Sequence, residues 1–215
     1  QAAPSAALTP QPAAGRDPRA VAANFIRAIE RVEPVAEATC RARTRGVPCD
    51  FRIVIDTRPD APPNAFQSVD AYGQPVIAFT LSLVESTRNL DEIAFIAGHE
   101  AAHHILGHIP LRQRNAEMAE IIAGLTATLG GADAAGVARA QSLGAAIGAR
   151  QFSQEFELQA DALGTEIAFL AGFDPVLGAA FFSRLPDPGN RFLGTHPPNA
   201  ARLETVRRTA AALRY

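Results

Sequence analysis

The apolar residues of this chain recur mostly at intervals of three or four positions, which is the spacing of amphipathic helices. The first predicted helix begins at Asp17 and Pro18 and ends near Arg31. Its apolar side contains Val21, Phe25, Ile26 and Ile29. The same spacing predicts later helices at about 89–107, 111–129, 133–149, 152–171, 175–184 and 198–213. Helices therefore account for most of the predicted structure.

Two short stretches, 50–56 and 73–80, have the β-branched and aromatic composition of strands. Pro75 lies at the start of the second stretch, and because proline has no N–H to donate, it favours an edge strand there. A loop with three prolines lies between the two stretches, at 58–65. Together the elements predict a mainly α fold with a small β-sheet, which is the α+β class.

Residues 1–16 are rich in alanine, proline and glutamine and cannot build a core, so we expect a disordered or spacer-like arm. Residues 17–215 are long enough for one domain, and they contain no internal repeat. The 20 basic and 22 acidic residues give a formal charge of −2, without a cluster of lysine or arginine. This charge pattern argues against nucleic acid as a partner.

The chain has no run of 18 uncharged apolar residues, so a membrane-spanning helix is not predicted. The nearest candidate is residues 121–149, which Asp133 and Arg139 interrupt. Gly144 and Gly148 in this segment are four positions apart, a spacing that lets two helices approach closely. We interpret the segment as an alanine-rich helical hairpin packed in water, and peripheral contact with a membrane stays open.

The two cysteines, Cys40 and Cys49, enclose eight residues that include Pro48. Two thiols without a nearby histidine do not complete a metal site, so we favour a disulfide and an oxidising compartment. The alternative is a pair of buried free thiols.

Four of the five histidines lie within the sequence AGHEAAHHILGH, residues 97–108. His99, Glu100 and His103 form the pattern H-E-x-x-H in a predicted helix. Residues four apart face the same side of a helix, so both imidazoles can bind one Zn²⁺. Glu100 is one position further round and can take a proton from water without being a ligand. Two core histidines without a metal are the alternative.

A zinc site needs a third protein ligand, and the best source is the sequence SQEFELQADALG, residues 153–164. Glu157 and Asp161 are four apart on one side of the predicted helix. Glu157 can bind the metal while Asp161 accepts the other ring N–H of a ligand histidine. Glu155 competes with Glu157, but it faces another side of the helix. A solvated acidic surface is the alternative for this pair.

The remaining histidines have weaker signals. His104 points away from His103, and His108 lies about half a turn round from His99, so we predict that neither binds the metal. His104 is expected to be a surface or packing residue, and His108 a residue behind the site or at the helix end. His196 lies in a loop, where it could stabilise an oxyanion, act as a transient ligand or cap the loop.

Three segments resemble the HtpX/CaaX-prenyl-protease family of gluzincin zinc metallopeptidases, most closely in its soluble periplasmic branch. They are DEIAFIAGHEAAHHILGH (91–108), EFELQADALG (155–164) and THPPNAARLE (195–204). The resemblance covers roughly residues 50–210 and implies a zincin-like domain whose active-site helix carries H-E-x-x-H.

The resemblance also implies roles for individual residues. His99, His103 and Glu157 would bind one Zn²⁺ per chain, Glu100 would be the general base, and Asp161 would orient a ligand histidine.

For the region around the metal, the resemblance places His196 beside it, either stabilising the transition state or acting as a removable ligand. The strand at Val76, Ile77, Ala78 and Phe79 would offer its edge to an extended substrate peptide. Arg202 is a weaker candidate for holding the reaction intermediate, because an arginine on a helix surface is usually solvated.

We therefore predict a zinc-dependent endopeptidase that cleaves unfolded or misassembled polypeptides in the periplasm, with association with the membrane surface left open. One alternative is a zinc-bearing chaperone or scaffold of the envelope with little or no proteolytic turnover. Another is an interaction module in which zinc has only a structural role.

Overall fold

The computed structural model describes residues 17–150, 153–185 and 197–214, and these residues form a mainly helical fold with one small sheet. The helices are α1 (Pro18–Arg43), α2 (Leu81–Ser86), α3 (Leu90–Ile105), α4 (His108–Leu129), α5 (Ala134–Arg150), α6 (Ser153–Leu170), α7 (Pro175–Ala179) and α8 (Asn199–Leu213). A 3-10 helix over Ala180–Arg184 follows α7. The predicted fold class is confirmed. The predicted arm at residues 1–16 lies outside the described residues.

The first helix is longer than the sequence pattern predicted, because it continues through Pro34 to Arg43. Proline removes one helical hydrogen bond, but burial of the second half of α1 offsets this cost. Val32, Ala36 and Cys40 are all buried, four positions apart, beyond the predicted end at Arg31. The predicted apolar side is correct for Phe25 and Ile29, whereas Ile26 is half exposed.

The sheet has the order β1-β3-β2, with β1 at Arg52–Asp56, β2 at Ala65–Val69 and β3 at Pro75–Thr80. Strand β3 pairs in parallel with β1 and antiparallel with β2, and all six of its residues are buried. The prediction that this strand is an edge strand is wrong. Pro75 is tolerated because it is the first residue of the strand.

This topology also corrects the predicted substrate contact at Val76, Ile77, Ala78 and Phe79. Both backbone edges of these four residues already pair with neighbouring strands, and their side chains are buried. They cannot accept a further strand. The sequence pattern missed β2, which is joined to β3 by a turn in which Asp70 accepts hydrogen bonds from the N–H groups of Tyr72 and Gln74.

Helix α3 begins with a variant of the capping box, in which Glu92 reaches the residue before the N-cap. Asn89 accepts a hydrogen bond from the backbone N–H of Glu92 at 2.8 Å, and the Glu92 carboxylate accepts from the N–H of Arg88 at 2.8 Å. Glu92 is buried and also accepts two hydrogen bonds from Arg184, so the start of α3 is fixed to the segment after α7.

Helices α3 and α6 approach closely because both carry glycine where they meet. A Cβ atom on Gly98 would lie 2.9 Å from the carbonyl oxygen of Gly164, and one on Gly164 would lie 2.7 Å from the backbone nitrogen of His99. This contact brings the H-E-x-x-H helix against the helix that carries Glu157 and Asp161.

Helices α4 and α5 form a hairpin whose main contacts are between the two helices. Among the described residues, no helix is both long enough and apolar enough to cross a bilayer.

The predicted disulfide is confirmed, and it joins Cys40 near the end of α1 to Cys49 in the segment that leads into β1. No free cysteine remains in the chain, because these are its two cysteines.

Candidate metal centre

Three predicted ligand residues meet between α3 and α6. The Nε2 atoms of His99 and His103 are 3.1 Å apart, as expected for residues one helical turn apart on α3. Oxygens of the Glu157 carboxylate lie 3.5 Å from each of these nitrogens. The structure therefore brings together side chains that are far apart in sequence.

The spacing of these atoms suits a zinc ion. Ligand atoms at about 2.0–2.1 Å from a tetrahedral centre are about 3.3 Å from one another. The two Nε2 atoms are 3.1 Å apart, and each lies 3.5 Å from one of the two Glu157 oxygens, so these distances are close to this value. Two imidazoles and one carboxylate are also a common ligand set of catalytic zinc, which leaves a fourth position for water or substrate. The donor set fits the metal that the sequence predicted.

Asp161 holds one of these histidines from behind. Its carboxylate lies 2.9 Å from Nδ1 of His99, and the side chain is completely buried. A carboxylate at Nδ1 fixes the ring so that Nε2 faces the cluster. Glu155, the competitor of Glu157, is exposed and accepts a hydrogen bond from Gln159.

Arg202 is part of the same buried group, although the sequence favoured a solvated side chain at this position. It is only 7% exposed, donates to both oxygens of Asp161 at 2.6 and 2.7 Å, and stacks on the Phe182 ring at 3.6 Å. The expectation of a solvated arginine is wrong, because α8 packs against α6 and covers this side chain.

His108 points in a different direction from the one that the sequence predicted. Gly107, with a φ of 67°, ends α3 and starts α4, so the half-turn calculated for one continuous helix does not apply. His108 therefore points back toward the site, where its Nδ1 is 2.8 Å from Nδ1 of His103. Its Nε2 lies 3.1 Å from Oε1 of Gln159, and its ring stacks on Phe156. The prediction of a residue behind the site fits this position.

Of the other two histidines, the structure describes only His104. His104 packs edge-on against Phe51 and its Nε2 is 2.7 Å from the carbonyl oxygen of Pro48, which agrees with a packing residue. His196 lies outside the described residues, so its predicted role stays a prediction.

The carboxylates around the histidines favour positive charge at this place. Burial disfavours protonation of His99, but hydrogen bonds to Asp161 and Glu157 outweigh it and raise the pKa of His99 to about 9. Burial and the neighbouring His99 charge lower the pKa of His103, which keeps its ring in the neutral form that binds metals.

Glu100 lines a cavity of about 560 Å³ together with His99, His103 and Glu157. Burial raises the pKa of its carboxyl group, the neighbouring Glu157 raises it further, and the charges of His99 and Arg202 lower it. A hydrogen bond from the backbone N–H of Gln67 also lowers this pKa.

Strand β2 forms one wall of this cavity, through Ala65, Phe66 and Gln67. Among the described residues, β2 pairs only with β3, so its other edge is free of a strand partner, and on that edge the N–H of Gln67 donates to Glu100. The strand edge beside the cluster is therefore that of β2, not that of β3.

The comparison with family models agrees with this geometry. The model for peptidase family M48 matches residues 27–210, which is most of the chain. The chain belongs to peptidase family M48. Membership implies metalloprotease activity, and it confirms the resemblance noted in the sequence, although the soluble periplasmic branch stays a prediction. A search of curated proteins finds no significant match.

Proposed function

We propose that this M48 protein is a zinc-dependent endopeptidase of the cell envelope that cleaves unfolded or misassembled polypeptides. The observation that carries the proposal is the triangle of His99, His103 and Glu157 atoms, with Glu100 beside it in the same cavity. The family supports a metalloprotease, and this ligand set supports zinc as the metal.

In peptide hydrolysis, a bound metal and the residues around it would have different roles. A bound zinc ion would supply Lewis-acid chemistry, which polarises a carbonyl group and activates water. Glu100 accepts the proton of the attacking water and delivers it to the nitrogen of the departing amine. Asp161 and Arg202 hold His99 in one orientation during the reaction.

The free edge of β2 supports an extended substrate. A polypeptide in β-conformation can hydrogen-bond to the backbone of Ala65–Val69 and place a peptide bond beside Glu100. Backbone pairing of this kind requires a locally unfolded chain and depends little on sequence. These properties suit the removal of misfolded proteins.

The Cys40–Cys49 disulfide supports the proposed location, because disulfides persist in oxidising compartments such as the periplasm. Together with the resemblance to the soluble branch, it is our basis for placing the protein in the envelope.

The test compares Glu100→Gln with the wild type in zinc content and in cleavage of reduced, unfolded casein. The variant keeps the three ligands, so we expect one zinc per chain and a loss of cleavage of at least about a hundredfold. A chelator should abolish wild-type cleavage, and added zinc should restore it. Equal cleavage by the variant would refute the role of Glu100.

The same measurements separate the other functions considered. A chaperone or scaffold would bind casein without turnover in the wild type. A structural zinc module would lose its fold, measured by circular dichroism, whenever the metal is removed.

A further inference from the structure

The α4–α5 hairpin exposes a set of large apolar side chains. Seven of them are between 41% and 80% exposed. They are Met118, Ile121, Ile122, Leu125, Leu129, Leu143 and Ile147, and we call them the hairpin face. Single exposed apolar residues are common, but seven on one pair of helices require an explanation.

These seven residues lie on one side of the hairpin. Gly144 and Gly148 of α5 touch Ala119 and Asn115 of α4, which shows that the helices run antiparallel and identifies the sides that face each other. At about 100° per residue, the α4 members of the hairpin face are rotated by about 60–160° round the helix axis from Ala119, the residue that faces α5. Leu143 and Ile147 are rotated from Gly144 in the same direction about the axis of α5. Because the two helices are antiparallel, rotation in the same direction about each helix axis points to the same side of the hairpin.

The size of this surface reaches that of the largest apolar patch of a typical soluble monomer, which is about 300–600 Å² and often functional. Seven side chains of this size, each about half exposed, present on the order of several hundred Å² of apolar surface. A patch of that size marks an interaction site, so the hairpin face is expected to have an occupant.

We propose that the hairpin face docks on the surface of a bilayer that contains anionic phospholipids. Three exposed arginines, Arg114, Arg139 and Arg150, lie along the outer flank of this face. Glu120 lies on the opposite side of α4, and Glu117, one turn before Ile121, lies at the back of α4 where it borders the hairpin face. Aliphatic side chains beside arginines are the combination by which an amphipathic helix lies in the interface of an anionic membrane.

Charge also decides between a membrane and a second copy of the chain. Two hairpin faces packed against each other would bring together three arginines and the bordering Glu117 of each copy, an excess of positive charge that is unfavourable.

Docking would fix the metal cluster relative to the membrane. Helix α4 begins at His108, which contacts His103, so the hairpin is continuous with the candidate metal centre. The proposal does not depend on proteolytic activity, and it holds for a chaperone as well as for a peptidase.

The test is cosedimentation of the full chain with vesicles of phosphatidylcholine alone or mixed with phosphatidylglycerol. We expect binding to the mixed vesicles that weakens as salt rises. The double variant Leu125→Ser/Leu129→Ser should weaken it at least about tenfold. Arg139→Gln/Arg150→Gln should weaken binding to the mixed vesicles and leave any residual binding to phosphatidylcholine unchanged.

Two control variants change the same residue types outside the hairpin. Leu170→Ser/Leu177→Ser and Arg207→Gln/Arg208→Gln replace exposed residues of other helices and should bind vesicles like the wild type. Circular dichroism checks that all four variants are folded. Absence of vesicle binding, or equal loss in the control variants, would overturn the proposal. A dimer in analytical ultracentrifugation that Leu125→Ser/Leu129→Ser abolishes, without vesicle binding, would instead identify a second copy as the occupant.

Discussion

At the scale of single residues, the orientation of the predicted ligands is set by buried neighbours on other helices. Asp161 on α6 contacts Nδ1 of His99, and His108 on α4 contacts Nδ1 of His103. Each candidate ligand histidine therefore has a partner for the nitrogen that does not face the cluster. Such partners fix the ring and its tautomer, which affects how strongly a metal binds.

His108 is expected to strengthen metal binding through His103. Replacing it by alanine removes the partner of the His103 Nδ1 atom and should weaken zinc affinity by about 10–100-fold. Competition with a chromophoric chelator measures this change. His104→Ala is the matched control, because His104 is the next residue on α3 after His103 but bonds to Pro48 instead. Equal affinities of His108→Ala and the wild type would contradict the prediction.

Arg202 is expected to contribute mainly to stability. It is the partner of a completely buried carboxylate, so Arg202→Leu should lower the free energy of unfolding by about 3–5 kcal/mol. Urea denaturation in the presence of a chelator measures this without a contribution from the metal. Arg207→Leu, at an exposed position of the same helix, should change it by less than about 0.5 kcal/mol.

A second variant distinguishes the ion pair from simple packing. Asp161→Asn removes the buried charge, so the double variant Asp161→Asn/Arg202→Leu should be more stable than Arg202→Leu alone. If the effects of the two substitutions simply add, the ion pair is not the reason for the burial of Arg202.

The H-E-x-x-H motif indicated His99, Glu100 and His103 in the sequence. Given that motif, helical spacing indicated Glu157 and Asp161, because it places this pair on one side of its helix. The burial and direction of side chains that depend on how helices pack could not be predicted in this way. Helical spacing says nothing about which neighbour covers Arg202, and it misplaced His108 because one glycine separates two helices that the calculation had joined.

At the scale of helices and strands, the candidate centre depends on the distance between α3 and α6. Gly98 and Gly164 allow the two backbones to touch, which brings Glu157 within reach of both histidines. The sequence predicted both helices but gave no sign of their close contact.

Gly164→Ala tests this contact. Its new Cβ would lie 2.7 Å from the backbone nitrogen of His99, so the helices must separate. We expect a loss of about 1–3 kcal/mol in unfolding free energy together with weaker zinc binding. In Gly124→Ala the three atoms nearest to the new Cβ all belong to the Gln141 side chain, which can move, so that variant should keep zinc affinity. Unchanged zinc binding by Gly164→Ala would show that the helix distance does not control the site.

The sheet shows where the hydrophobic pattern is insufficient. Strand β3 was recognised from its composition, but its neighbours decide whether it is an edge or a centre. Strand β2 has only five residues, with mixed burial, and its sequence AFQSV lacks a continuous apolar pattern. Because β2 was missed, the free edge was assigned to the wrong strand.

At the scale of the whole molecule, the disulfide joins the two parts that surround the centre. Cys40 lies near the end of α1, which packs on α3, and Cys49 precedes β1, which pairs with the central strand β3. The bond thereby links the helical layer to the sheet whose other edge strand, β2, lines the cavity. Its presence should make stability depend on the redox state of the compartment.

Removal of the disulfide is expected to lower stability while leaving the centre intact. The covalent loop spans a sequence separation of 9, for which loop-closure entropy gives about 2–3 kcal/mol. In a chain of 215 residues this corresponds to a fall of roughly 5–10 °C in Tm. Thermal unfolding of the wild type with and without a phosphine reductant measures it, and Cys40→Ala/Cys49→Ala, measured under both conditions, is the control for other effects of the reductant. The double variant should melt at a lower temperature than the oxidised wild type and should not respond to the reductant. If reduction leaves the Tm of the wild type unchanged, the bond does not stabilise the fold, and the argument for an oxidising compartment loses its physical basis.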